Sequence, residues 1–166
     1  MRNVLDKFSF IKSKRQPPNL KRLLTKAKFC EDESIPEVKR CGRGNCALCA
    51  HLIEGTLFKS KIGYKITVKF NMSCDVKNVV YVIICKGCRE EYVGETNDLR
   101  KRMSVHRNHI RDPSHRVLRV SAHIDNCCDR EPKFYVFPLY KMNTDEIGPR
   151  RNKEKEYIQL LQPKLN

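Results

Sequence analysis

The sequence predicts an α/β (α+β) protein, a small antiparallel three-stranded sheet flanked by helices and preceded by a small cysteine-bounded module. Three observations predict it. Val79-Val80-Tyr81-Val82-Ile83-Ile84 is an unbroken apolar run of the kind a core strand needs, and a tight Cys85–Cys88 turn leads from it into Glu91-Tyr92-Val93-Gly94. A further apolar run, Phe134-Tyr135-Val136-Phe137-Pro138-Leu139, is flanked by segments of helical periodicity. Cysteines bound the stretch from Cys41 to Cys74.

Taken in order, residues 1–40 read as a basic arm with a short helix around Leu20, Leu23, Leu24 and Ala27, in which Lys21, Arg22, Lys26 and Lys28 form a basic face. Residues 41–77 form the cysteine-rich module, where Tyr64 to Phe70 alternates apolar and polar like a half-buried strand. Residues 78–166 make the main domain. Its first two strands pair as a hairpin. Thr96-Asn97-Asp98 supplies capping residues for a helix that ends near Asp112-Pro113. A second helix is expected over Arg116–Ile124 and a last one over Arg150–Leu161, with Tyr157, Ile158 and Leu161 on its buried side.

Charge narrows the function. Lys and Arg total 34 against 19 acidic residues, a net +15 on 166 residues, which favours a polyanionic partner such as the phosphate backbone of nucleic acid. No run approaches the ~18 apolar residues of a membrane span, and MRNVLDKFSF lacks a signal-peptide core. No segment sets a clean basic face against an apolar one, so no membrane partner is expected. The chain should therefore be soluble and intracellular.

Nine cysteines in such a chain point to metal rather than disulfides, because thiols stay reduced inside cells and thiolates are soft ligands. Cys41-x4-Cys46-x2-Cys49 with Cys74 offers four thiolates for tetrahedral Zn²⁺, with His51 as a possible replacement and Cys30 left over. Cys85-x2-Cys88 needs two more ligands, which His123 and Cys127 offer one helical turn apart, Cys128 being a chemical substitute for Cys127. Four protein ligands leave no open position, so both zinc sites read as structural. A thioredoxin-type use of Cys85-x2-Cys88 would need a βαβ context that is missing.

Tyr92-Val93-Gly94 with Arg102 ten residues after the tyrosine, Val79-Val80-Tyr81 on the preceding strand, and Glu154, Ile158, Pro163 and Asn166 at the far end together resemble the signature of GIY-YIG endonucleases over residues 79–166. Val79 stands where that pattern has glycine. The resemblance implies a metal-dependent DNA endonuclease. In it Glu154 would hold one Mg²⁺ or Mn²⁺, Arg102 would clamp the phosphate, and Tyr92 would deprotonate or orient the attacking water. Tyr81 and His106 would assist, with His115 a weaker candidate and Glu156 the alternative metal ligand, and Asn166 would brace the site. Taken one at a time these residues read as core tyrosines and surface charges; only their joint spacing argues otherwise.

The cysteine module, the Cys-x2-Cys within the hairpin and Pro17-Pro18-Asn19-Leu20-Lys21-Arg22-Leu23-Leu24 also resemble the endonuclease region of Penelope-like retroelements. That implies a nuclear enzyme that nicks double-stranded target DNA to prime reverse transcription, with element RNA and a reverse transcriptase domain as partners. A zinc-containing module that binds nucleic acid without cutting it is the alternative reading.

Overall fold

In the computed structural model, residues 35–112, 114, 119–128, 131 and 133–166 are described. Residues 1–34, with Lys21, Arg22, Lys26, Lys28 and Cys30, lie outside them, as do Pro113 and His115.

The apolar run becomes strand β3 (Lys77–Cys85), following β1 (Leu57–Lys59) and β2 (Lys65–Thr67). Strand β4 (Glu91–Asp98) and strand β5 (Phe134–Lys141) pair with it on either side, all antiparallel, in the order β4-β3-β5. β3 is the centre of the sheet, and Val79 to Ile84 are at most 2% exposed. A strand covered on both faces has no polar side, which is why its sequence is continuous rather than alternating. Pro138 lies where β5 shifts register against Val80 and Tyr81. An edge strand with a bulge tolerates a residue that cannot donate to the ladder.

Helix α1 (Leu99–Arg111) starts at Asp98, whose carboxylate accepts from the Lys101 N–H at 3.0 Å, and it buries Leu99, Met103, His106 and Ile110. That spacing puts one stripe on the core. Helix α2 (Arg119–Cys127) buries Val120, Ser121 and Ile124 and packs on α1. Helix α3 (Ile147–Leu161) buries Arg150, Tyr157 and Leu161 and packs on β4 and β3. It ends at Gln162, which takes a left-handed conformation ahead of Pro163.

Several boundaries differ from the sequence reading. Helix α3 begins three residues earlier than Arg150, because Pro149 falls in its first turn, where a missing N–H costs nothing. Helix α2 runs on to Cys127, beyond the expected end at Ile124. The expected strand over Tyr64–Phe70 shrinks to β2, since its partner β1 has only three residues and Tyr64 instead donates its N–H to Ser60 Oγ at 2.9 Å. Strand β4 continues to Asp98, well past Gly94.

The cysteine-rich segment, with Val38 just before it, shares the sheet's core: Val38, Leu48, Leu52, Phe58, Val68 and Met72 are buried in the same cluster as β3 and β5. Leu52 also forms a parallel bridge to Val136, with the Ile53 N–H on the Val136 carbonyl and the Val136 N–H on the His51 carbonyl, at 3.0 and 2.9 Å. The outer edge of β5 is thereby occupied.

Candidate active site

The register of β3 against β4 sets Tyr81 opposite Gly94, with Tyr92 two residues away on β4. A Cβ at Gly94 would lie 2.8 Å from the Tyr81 hydroxyl and 2.8 Å from a ring carbon of Tyr92. Glycine is thus required for the two phenols to stand side by side. Helix α1 brings Arg102 and His106 over them from consecutive turns.

Arg102 donates through Nε to the Tyr81 hydroxyl at 3.3 Å, and that hydroxyl lies 3.0 Å from His106 Nε2. The hydroxyl can accept from Arg102 while donating its own proton to Nε2, the arrangement that places the ring proton on Nδ1. Burial, reinforced by the Arg102 cation and by His109, pulls His106 down to about 3, so it is neutral at physiological pH. Burial also drives the Tyr81 phenol far above its ordinary range, and Tyr92 is raised by burial against the lowering influence of Arg102. Tyr92 and His106 rings meet edge to face at 6.0 Å. Tyr92, Arg102 and His106 open onto a pocket of about 230 Å³ that Arg119, Val120, Leu165 and Asn166 complete.

Asn166 fills the place that a neighbouring strand would take. Its side chain accepts from the Val93 N–H at 2.8 Å and donates to the Val93 carbonyl at 2.7 Å, clamping the backbone between Tyr92 and Gly94. Its contacts are those of a brace.

Glu154 projects from α3 one turn after Arg150 and is half-buried. Burial and the neighbouring Glu95 carboxylate raise it, while the Glu95 N–H and the Arg151 and Arg102 cations hold it down. Its charge is felt by both Tyr81 and Tyr92. Glu95 itself is tied to the buried Arg150 in a part-buried ion pair, and Arg150 also donates to Asn78 Oδ1 at 2.9 Å. A single half-buried carboxylate, held by a backbone N–H beside an engaged one, suits a hard divalent cation that keeps most of its water. Glu156, by contrast, is exposed and paired with Lys153 at 2.8 Å.

Two residues at the site escaped the sequence reading. Arg119 lines the pocket and donates to the Asn166 carbonyl, and Arg150 anchors Glu95 beside Glu154. The signal for Arg150 was its i, i+4 spacing from Glu154; for Arg119 there was none.

The cysteines assemble into two groups. In Cys41, Cys46, Cys49 and Cys74, and again in Cys85, Cys88, His123 and Cys127, the ligand atoms all lie within 4.8 Å of one another. Cys41 and Cys49 Sγ are 3.6 Å apart, Cys49 and Cys74 Sγ 3.5 Å. Sulfurs bound tetrahedrally at about 2.3 Å stand ~3.8 Å apart, so the first group fits zinc as it stands. In the second, Cys88 Sγ and His123 Nε2 are 3.1 Å apart. Burial pushes the Cys85 thiol up, but backbone N–H groups of Cys88 and Gly87 and the Cys128 and Cys127 thiols outweigh it and bring it to about 6. Cys127 is raised to about 12 by the thiols of Cys85 and Cys88. Opposite shifts within one group are what closely packed sulfurs sharing protons produce, and a bound cation would remove the conflict.

Gly87 permits this second cluster, since a Cβ there would stand 2.8 Å from Cys127 Sγ. Cys128, the substitute ligand, is buried with its Sγ 3.7 Å from Cys85 and outside the four-atom group. His51 lies outside both groups of ligand atoms: its Nδ1 is 2.9 Å from the Phe134 carbonyl and its ring stacks on Phe134 at 4.6 Å.

No helix among the described residues is long and apolar enough to cross a membrane. No curated protein and no solved structure matches the chain significantly. The family model of the GIY-YIG catalytic domain does match, over residues 77–166, the span that contains both tyrosines, Arg102, His106, Glu154 and Asn166. With more than half of its length in that match, the chain belongs to the GIY-YIG family and is an endonuclease.

Proposed function

We propose that the chain nicks one strand of double-stranded DNA, with Tyr92, Arg102 and Glu154 acting directly on the scissile phosphate and the attacking water. The observation that carries this is the meeting of Tyr92, Arg102 and His106 in one pocket, with Tyr81 locked behind them and Glu154 beside them. Arg102, fixed through Nε by Tyr81, meets the negative charge that grows on phosphorus-bound oxygens. Tyr92 rests as a neutral phenol and positions the attacking water. His106 and Tyr81 are positioning residues: their mutual hydrogen bond holds Arg102. Asn166 keeps the β4 backbone beneath Tyr92 in register. Glu154 would hold Mg²⁺ or Mn²⁺, which supplies charge neutralisation at the leaving oxygen.

The two cysteine groups would hold structural zinc, separate from the catalytic metal. The hairpin cluster and the cysteine-rich segment before it support kinship with the endonuclease of Penelope-like retroelements. On that reading the nick exposes a 3′-hydroxyl in nuclear DNA for reverse transcription of element RNA by a polymerase domain elsewhere in the protein.

The test is supercoiled plasmid incubated with Mg²⁺ and the purified chain, beside Arg102→Ala and Glu154→Ala. Parent protein should yield open circles with little linear product, and each variant should lose at least about 100-fold in rate, the order expected for a group that stabilises transition-state charge. Linear product from the start would overturn the nickase assignment. Equal rates for all three proteins would overturn the assigned residues.

A further inference from the structure

Helix α1 presents two opposite faces. At roughly 100° per residue, Arg102 and His106 share one side while Arg100, Ser104 and Arg107 share the other. The second face borders a cleft of about 400 Å³, closed on its far side by the loop Asn45–Leu48 of the first cysteine group. Three cations line it, Arg100, Lys101 and Arg107, and none of its lining residues is acidic. The Nε atoms of both Arg100 and Arg107 are buried and lack a hydrogen-bond partner. Arg100 is anchored at its outer end, where Nη2 reaches Cys41 Sγ at 3.7 Å and Asp75 at 4.0 Å. Asp75 in turn pairs with Arg43 at 3.1 Å.

Buried guanidinium N–H groups without acceptors are costly, and a bound anion is one partner that removes the cost. The acceptor must be anionic, because three positive side chains face one concavity, and it must suit arginine's planar donors, as a phosphate does.

We propose that this cleft is a second phosphate site, taking a backbone phosphodiester of the same duplex that the opposite face of α1 cuts. This rests on the nuclease reading above and adds the surface that sets the duplex against it. One helix, about 10–12 Å across, separates the two sites. The first cysteine group acquires a purpose beyond folding: its loop forms the far wall of the cleft.

The experiment uses the zinc-loaded full chain carrying Glu154→Gln and a fluorescein-labelled DNA duplex, with affinity followed against salt. Adding Arg107→Ala should weaken binding roughly three- to tenfold and reduce the slope of log K against log [salt] by about one. Arg107→Lys should keep the slope. In the chain without these Arg107 changes, the Nε–H resonances of Arg107 and Arg100 should shift on duplex addition. If the duplex binds but neither the slope nor these resonances change, the proposal fails while the nuclease reading stands. A shift with inorganic phosphate and none with duplex means an adventitious ion only, and also overturns it. If the duplex does not bind at all, the nuclease reading falls first. Should Arg107→Ala lose zinc, the resonance measurement decides alone.

Discussion

Tyr81 and Gly94 face each other across the β3–β4 hairpin so closely that the glycine's missing side chain is the space the phenol occupies. Gly94→Ala must push either tyrosine aside, because its Cβ would fall 2.8 Å from the Tyr81 hydroxyl and 2.8 Å from Tyr92. Overpacking of this kind costs about 1–3 kcal/mol. Denaturant unfolding should register that loss, and plasmid nicking should fall further than stability predicts, since the Tyr81–Arg102 bond breaks as well. Unchanged nicking would mean that the pair is not needed for cutting.

His106 should be neutral across the physiological range. With its folded value near 3 against an ordinary 6.5, the unfolded chain binds a proton that the native state refuses, so stability contributed above pH 6.5 is lost as pH falls toward 3. The slope from this group alone is at most about 1.4 kcal/mol per pH unit. Imidazole NMR between pH 8 and pH 5 should show no titration for His106 and a protonated Nδ1. A midpoint near 6.5 would contradict the buried hydrogen bond to Tyr81.

Metal analysis should find about two zinc ions per chain, one for each closed group of four ligands. Cys127→Ser should bring that to about one, whereas Cys128→Ser should keep both ions and lose stability instead, its sulfur being buried outside the ligand group. The opposite pattern would reassign the fourth ligand. Gly87→Ala should act like Cys127→Ser, because its Cβ would stand 2.8 Å from that sulfur.

Arg150→Met should be strongly destabilising for an exposed-looking helix position in the sequence. Arg150 is 5% exposed and neutralises Glu95, and removing one partner of a buried pair typically costs about 3–5 kcal/mol. The double variant Arg150→Met with Glu95→Gln should recover part of the loss. No recovery would show that packing, not charge, dominates there.

The sheet was legible from local pattern, the apolar run of β3 and the hairpin turn, whereas Tyr92 and Arg102 were singled out by their spacing within the family resemblance, and the structure brings the two to one pocket. Glu154 and Asn166 were legible only through family resemblance, since nothing local tells α3's inward acid from Glu156. Arg150 was invisible as a buried residue because arginine at that spacing reads as surface, and only the fold places Glu95 and Asn78 beside it. The cysteines announced their grouping, and His51, read as a replacement for one thiol, instead meets Phe134. Strand β1 was missed because three residues carry no readable period.

If the first cysteine group holds zinc as proposed, the seam between Leu52 and Val136 would link metal supply to solubility. The chain on either side of Leu52 closes the outer border of β5, and that chain follows directly from Cys46 and Cys49. On that proposal, loss of the ion would free the Val136 N–H and carbonyl and the Phe134 carbonyl that His51 meets, leaving that border open to another copy's strand. Metal starvation would then appear first as clumping of an otherwise well-folded sheet, before any loss of its helices.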